Sequence, residues 1–295
     1  MAWGELSMKS SSLEFRVGGW YTKNNSLTSM SQVKNNSVLQ FILGQPRGST
    51  RYRSLVLLLL FASSVAYGQK KRILIYTHNG KGYVHENIAA SVEALTKLCA
   101  TNKWAVESSD SPTVFTTENL KRFNCIIFSN TNNEGFDTDA QKEAFMAYTR
   151  AGGGFVGIHS ASGSERKWPW FAAMLGGRFV RHPELQAFTI KVIDKKHPST
   201  EFLGETWAWE DECYYTNNLN PDVKVLLAAD LTTIKDDKKV EYPGQIFGDY
   251  FPLAWCHEFD GGRQFYTSLG HKAEYYQNEK FLKHLKGGIE WAMKN

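Results

Sequence analysis

The chain has 295 residues, with 34 Lys+Arg against 30 Asp+Glu and a formal net charge of +4. The excess is local: residues 1–69 hold 7 basic and 2 acidic side chains, and the other 226 hold 27 and 28, a net of −1. A near-neutral body of this size excludes an electrostatic nucleic-acid surface and suits one domain with a sizeable core.

Residues 1–50 are rich in Ser, Asn and Gly and show no sustained period, so no fold is expected there. They read either as a start-site artefact or as a disordered extension. Residues 51–68 read as a signal peptide: Arg51 and Arg53, the apolar run Leu55–Phe61, then small residues at Ala66 and Gly68. The run is shorter than the ~20 residues that cross a bilayer, so no stable span is expected after cleavage. A periplasmic or secreted protein is the expectation. Residues 70–295 form the expected domain. Its four cysteines, Cys99, Cys125, Cys213 and Cys256, contain no CxxC pair, and spacing does not choose a disulfide pairing.

In chain order, Lys71–Tyr76 reads as a strand and His85–Ala100 as a helix with apolar residues every three to four positions. Trp104–Glu107 is a second strand, Thr116–Phe123 a short helix, and Cys125–Phe128 a third strand. Thr138 and Gln141 form a capping box that opens a helix to Ala151. Gly152–His159 is a fourth strand ending in a sharp turn, and a helix from Trp168 stops at Gly176-Gly177. This β/α alternation predicts a parallel sheet covered on both faces. Beyond residue 183 come strands at Gln186–Ile193, Val223–Ala228, Leu253–Glu258 and Gln264–Ser268, with hairpin-like connections. Asp230–Tyr242 reads as a loop, and Glu279–Met293 as the last helix.

Chemistry in such folds sits at the carboxyl ends of the strands. His78, His159 and His271 fall at such ends. Converging imidazoles there could bind a divalent metal such as zinc or pass protons. An isolated strand-end His is more often structural. His85, at the start of the first helix, could point into the same cleft, as could His182, which is stiffened by Pro183. Asp211 and Glu212 are candidate bases in an acidic run flanked by Trp209 and Tyr214. Carboxylates beside aromatic rings suit sugars, with Trp255 as further lining. The bland alternative for that run is an edge strand with packed aromatics. No phosphate-binding glycine motif is present, so no nucleotide cofactor is expected.

The ordered set Gly153–Ala161 (Gly-Gly-Phe-Val-Gly-Ile-His-Ser-Ala), Leu175-Gly176-Gly177, His182-Pro183, His197-Pro198, Asp211-Glu212 and Gly262–His271 resembles the ThuA-like, or trehalose-utilisation, family over residues 71–294. The resemblance implies an α/β, flavodoxin-like fold similar to class I glutamine amidotransferases. That fold has a central, mostly parallel sheet flanked by helices, with extra antiparallel strands in the C-terminal half. Those enzymes carry a nucleophilic Cys at the elbow, where this chain has His159, so glutaminase chemistry is rejected. The resemblance also implies a small carbohydrate partner: a disaccharide, glycoside or keto-sugar. Two readings follow. One is a sugar hydrolase, lyase or isomerase with catalytic His159, His271, Asp211 and Glu212, metal ligands His78, His159 and His271, and substrate contacts from His85, His182, Trp209, Tyr214 and Trp255. The other is a non-catalytic carbohydrate-binding protein on the same fold.

Overall fold

The computed structural model describes residues 70–238 and 248–294. The expected signal peptide, the segment before it and the end of the Asp230–Tyr242 loop lie outside these residues.

Each element follows from its local sequence. The strands β1 (Arg72–Tyr76), β3 (Cys125–Ser129) and β4 (Gly154–Ile158) are short, and the last two are buried at every position. Continuous burial is what a parallel strand covered on both faces requires. Helix α1 (Ile88–Thr101) buries Ser91, Leu95 and Cys99, one residue per turn. After β2 (Ala105–Ser109) and the single turn α2 (Thr117–Leu120), helix α3 (Asp139–Arg150) opens on the predicted capping box. Thr138 accepts from the Gln141 N–H, and Gln141 Oε1 accepts from the Thr138 N–H. Helix α4 (Pro169–Leu175) ends at Gly176, whose φ of 99° lies in the left-handed region. A Cβ there would stand 2.4 Å from Trp255 Nε1, so only glycine fits both the turn and the contact.

The later strands are β5 (Arg178–Arg181), β6 (Gln186–Val192), β7 (Thr206–Asp211), β8 (Tyr215–Asn217), β9 (Lys224–Asp230), β10 (Tyr250–Phe259) and β11 (Gly262–Thr267), before helix α5 (Glu279–Ala292). Nine strands form one sheet in the order β2-β1-β3-β4-β11-β10-β9-β6-β7, and β5 pairs with β8 separately. The five strands from β2 to β11 are parallel, and the four from β10 to β7 alternate in direction. This is the α/β architecture expected, with antiparallel strands added in the C-terminal half.

Two strands, β5 and β8, are additions to the predicted set, and β7 is the edge strand with packed aromatics given above as the bland alternative for the acidic run. In β7 exposed and buried positions alternate strictly, placing Trp207 and Trp209 on the inner face of an edge strand. Both layers of core are rich in rings. Phe115, Phe128, Phe136, Phe145, Phe155 and Phe171 interlock on one side of the sheet. All four cysteines are buried free thiols. No described helix is long and apolar enough to cross a membrane.

Three buried histidines, His197, His257 and His284, lie away from the strand-end cluster. His197 stacks on Phe265, with ring centroids 6.2 Å apart, and His284 Nδ1 donates to the Ser199 carbonyl at 3.0 Å. Burial holds the His197 and His284 imidazoles at a pKa of about 4. Unfolded, each would titrate near 6.5 (roughly the free value), so between those limits the unfolded chain binds more protons. Their stabilising contribution is therefore complete above pH 6.5 and is lost as pH falls towards 4. The expected loss is on the order of 3 kcal/mol per histidine. Thermal melts from pH 7 to pH 4.5 should show it, and His197→Asn or His284→Asn should flatten the slope; an unchanged slope would contradict the assignment.

Candidate metal centre

Strand β4 delivers His159 to the carboxyl edge of the sheet. The residue is fully buried and takes a positive φ of 51°, an uncommon backbone for a side chain with a Cβ. Its partners hold it there. Tyr266 Oη donates to the His159 carbonyl at 2.9 Å, and His159 Nδ1 lies 2.7 Å from the Ser268 carbonyl. A carbonyl only accepts, so Nδ1 carries the proton and Nε2 presents its lone pair.

Three further groups meet that lone pair. His271 Nδ1 lies 3.3 Å from His159 Nε2, Glu212 Oε2 lies 3.5 Å from it, and the Tyr214 hydroxyl lies 2.9 Å from it. Glu212 Oε2 is also 3.1 Å from His271 Nδ1. His85 completes the group, its ring edge-on to His159 at 4.8 Å and to His271 at 5.5 Å. His85, His159, Glu212 and His271 each offer one ligand atom, all within 4.8 Å of one another.

The parallel pairing of β4 with β11 explains half of this convergence. Ile158 pairs with Thr267, so the turns after both strands leave from the same point. Glu212 comes from much further along the sheet. β7 stands four strands from β11 in the sheet order. In a flat sheet that would be a separation of about 19 Å. Instead Asp211, at the end of β7, bonds directly to the turn after β11. Asp211 Oδ2 accepts from Gly270 N at 2.8 Å and Trp209 Nε1 at 2.9 Å; Oδ1 accepts from Glu212 N at 2.9 Å and His271 N at 3.3 Å. Every partner is an N–H donor, the set an ionised carboxylate fits. Asn87, at the start of α1, closes the other side: its Nδ2 lies 3.0 Å from Asn130 Oδ1, 2.6 Å from Gly270 O and 2.8 Å from His271 O.

The electrostatics of the group follow from burial and from these short contacts. Burial works to raise the Glu212 carboxyl, but the His159 and His271 imidazoles close beside it outweigh burial and hold the group well below the usual range. The hydrogen bond to Glu212 raises His271 in turn. Burial, with His159 and His271 close by, pushes His85 down to about 3, so its imidazole is neutral and able to ligate. His85 Nδ1 is buried with no hydrogen-bond partner among the described residues. Burial raises the Asp211 carboxyl, against the pull of its N–H donors. Three imidazoles and one carboxylate, one with an orphaned nitrogen, fit a zinc-like divalent cation.

The structure brings His159, His271, Glu212, His85 and Tyr214 together. His182 stands at the rim, its Nε2 3.6 Å from Glu212 Oε1 and its ring over Tyr214 at 5.5 Å. His78 is elsewhere: its Nδ1 meets the Asp110 carbonyl at 2.8 Å, and its ring lies against Tyr76. The reason is strand order, because β3 separates β1 from β4 and two strand spacings are about 10 Å. His85, carried back over the edge by residues 77–87, takes the place expected of His78. Asp211 has its oxygens filled by N–H donors and positions the turn of His271 instead of abstracting protons. Trp209 and Trp255 are core residues. Trp209 packs on Trp207, Tyr275 and Phe281, and Trp255 is fully buried and donates to the Leu175 carbonyl. Asn87, Asn130, Ser268 and Tyr266 were not singled out by sequence. Only Asn87, an N-cap-type residue ahead of an apolar-periodic helix, carried a local signal.

The comparisons agree with this architecture. A family model described as ThuA, trehalose utilisation, matches residues 72–292. A ThuA-like protein from Bacteroides uniformis ATCC 8492 superposes with a TM-score of 0.60 at 24% identity, over 78% of this chain and 94% of that one. A ThuA-like protein from Parabacteroides merdae ATCC 43184 gives 0.61 at 19% identity, over 77% and 91%. A cytoplasmic protein from Salmonella typhimurium LT2 gives 0.51 at 14% identity, over 76% and 100%. No curated protein matches the chain. With the model matching most of its length and the fold shared, this chain belongs to the ThuA (trehalose utilisation) family, which supports a carbohydrate-related role in general terms.

Proposed function

We propose that this protein is an enzyme acting on a small carbohydrate, a disaccharide, glycoside or keto-sugar, at a divalent metal centre held by His85, His159, Glu212 and His271. The observation that carries the reading is the convergence of those four ligand-type atoms within 4.8 Å from four separate segments. A bound divalent cation would supply Lewis-acid polarisation of a substrate oxygen.

The chain's own groups supply the rest. His159 is fixed in one tautomer by Ser268, and Asp211 fixes the turn that carries His271. Burial keeps the Tyr214 hydroxyl protonated, so Tyr214 is the proton donor held inside the site. His182, with 35% of its side chain exposed beside Glu212, is placed to exchange protons with solvent. Export, expected from residues 51–68, belongs to the same reading, and the N-terminal sequence of protein secreted by the native host would test it.

Turnover of a panel of disaccharides and 3-keto-glycosides, with and without chelator, tests the proposal. Product formation that chelator abolishes and a divalent cation restores is expected. Tyr214→Phe is expected to lower kcat by about 10²–10⁴-fold, the range for a lost general acid, with metal content unchanged. Sugar binding without any product would favour the non-catalytic reading.

A further inference from the structure

Resting on the carbohydrate reading above, we propose that Tyr83 is the stacking platform for a pyranose ring beside the metal centre. Sugars are bound where an exposed aromatic face meets their C–H face. The aromatic residues expected from sequence to do this have no face to offer: Trp209 is 8% exposed, Tyr214 4% and Trp255 0%. Tyr83 is 60% exposed and its neighbour Val84 52%, the two most exposed large apolar side chains among the described residues, and they immediately precede His85. The Tyr83 ring meets the His85 ring edge-on at 4.8 Å. It therefore stands one contact from the proposed ligands.

The loop that presents the ring is fixed. Gly80 N donates to the Asn132 carbonyl at 3.0 Å, and Asn132 Nδ2 donates to the Tyr83 carbonyl at 3.2 Å. An aromatic face held this way loses little freedom on binding. Two adjacent exposed side chains are too small a patch for a stable protein interface, which favours a small ligand as the occupant.

Saturation-transfer NMR and titration with trehalose, maltose, cellobiose and methyl α-glucoside, on the full-length protein, test this. Wild type is expected to bind at least one probe, with saturation concentrated on ring C–H protons. Tyr83→Ala should weaken that binding by about 10-fold, and Tyr83→Phe, which keeps the face, should stay within about 2-fold. Binding unchanged in Tyr83→Ala, or no probe bound by wild type, would overturn the proposal. Metal content measured on the same samples separates the two readings. Tyr83-dependent binding by a metal-free wild type would sink the metal centre and leave the platform standing. Full metal with sugar binding indifferent to Tyr83 would do the reverse.

Discussion

Glu212→Gln is expected to lower the protein's affinity for a divalent cation by more than about 100-fold, because even a residue that only supports a ligand is worth 10–100-fold. Glu212 is the one carboxylate in the cluster, and two of the imidazoles it faces hold its pKa down. The amide removes the negative charge and leaves three neutral-type ligands around one cation. Folding should survive the change, since Glu212 bonds its partners at the rim of the core and not within either apolar layer. Isothermal titration with zinc, beside a melting curve of the same sample, separates lost ligation from lost structure. An unchanged zinc affinity in a folded variant would remove Glu212 from the centre.

Asp211→Asn is expected to have the largest effect on stability of any isosteric change in the domain. The carboxylate is fully buried and accepts from four N–H groups. An amide turns one oxygen into a donor, so two N–H groups face an NH₂ whichever way it is placed. The cost is about 3 kcal/mol, or roughly 6–12 °C in Tm for a domain of this size. The same bonds tie β7 to the β11 turn, so His271 should lose its fixed position as well. Zinc affinity should then fall even at temperatures where the variant is folded. A melting temperature within a degree of wild type would show that the four bonds carry no net stabilisation.

Much of the fold was legible because the parallel half is written in short apolar strands separated by capped helices. The Thr138–Gln141 box and the Gly176 stop are local signals that the structure reproduces at the same residues. The antiparallel half was less legible. Thr206–Asp211 alternates faithfully, but its two tryptophans also suit a sugar surface, and only the burial pattern of the strand shows which face they occupy. The site divides in the same way. His159 and His271 follow strands that pair in parallel, so their meeting was a matter of adjacent strand ends. His78 failed on strand order, which no local pattern encodes, because β3 lies between β1 and β4. His85 entered from a loop whose path depends on bonds between Gly80, Tyr83 and Asn132. Asp211 and Glu212 were read as one acidic unit. As neighbours at the end of a strand they point opposite ways, one into a nest of N–H donors and the other towards the imidazoles.

The most direct test of the metal centre is elemental analysis of wild-type protein and three alanine variants after dialysis against zinc. Wild type and His78→Ala should each retain about one equivalent per chain, as a single closed site requires, while His159→Ala and His271→Ala should retain less than about a tenth of that. Equal metal in all four proteins, or loss of metal in His78→Ala alone, would contradict the centre described above.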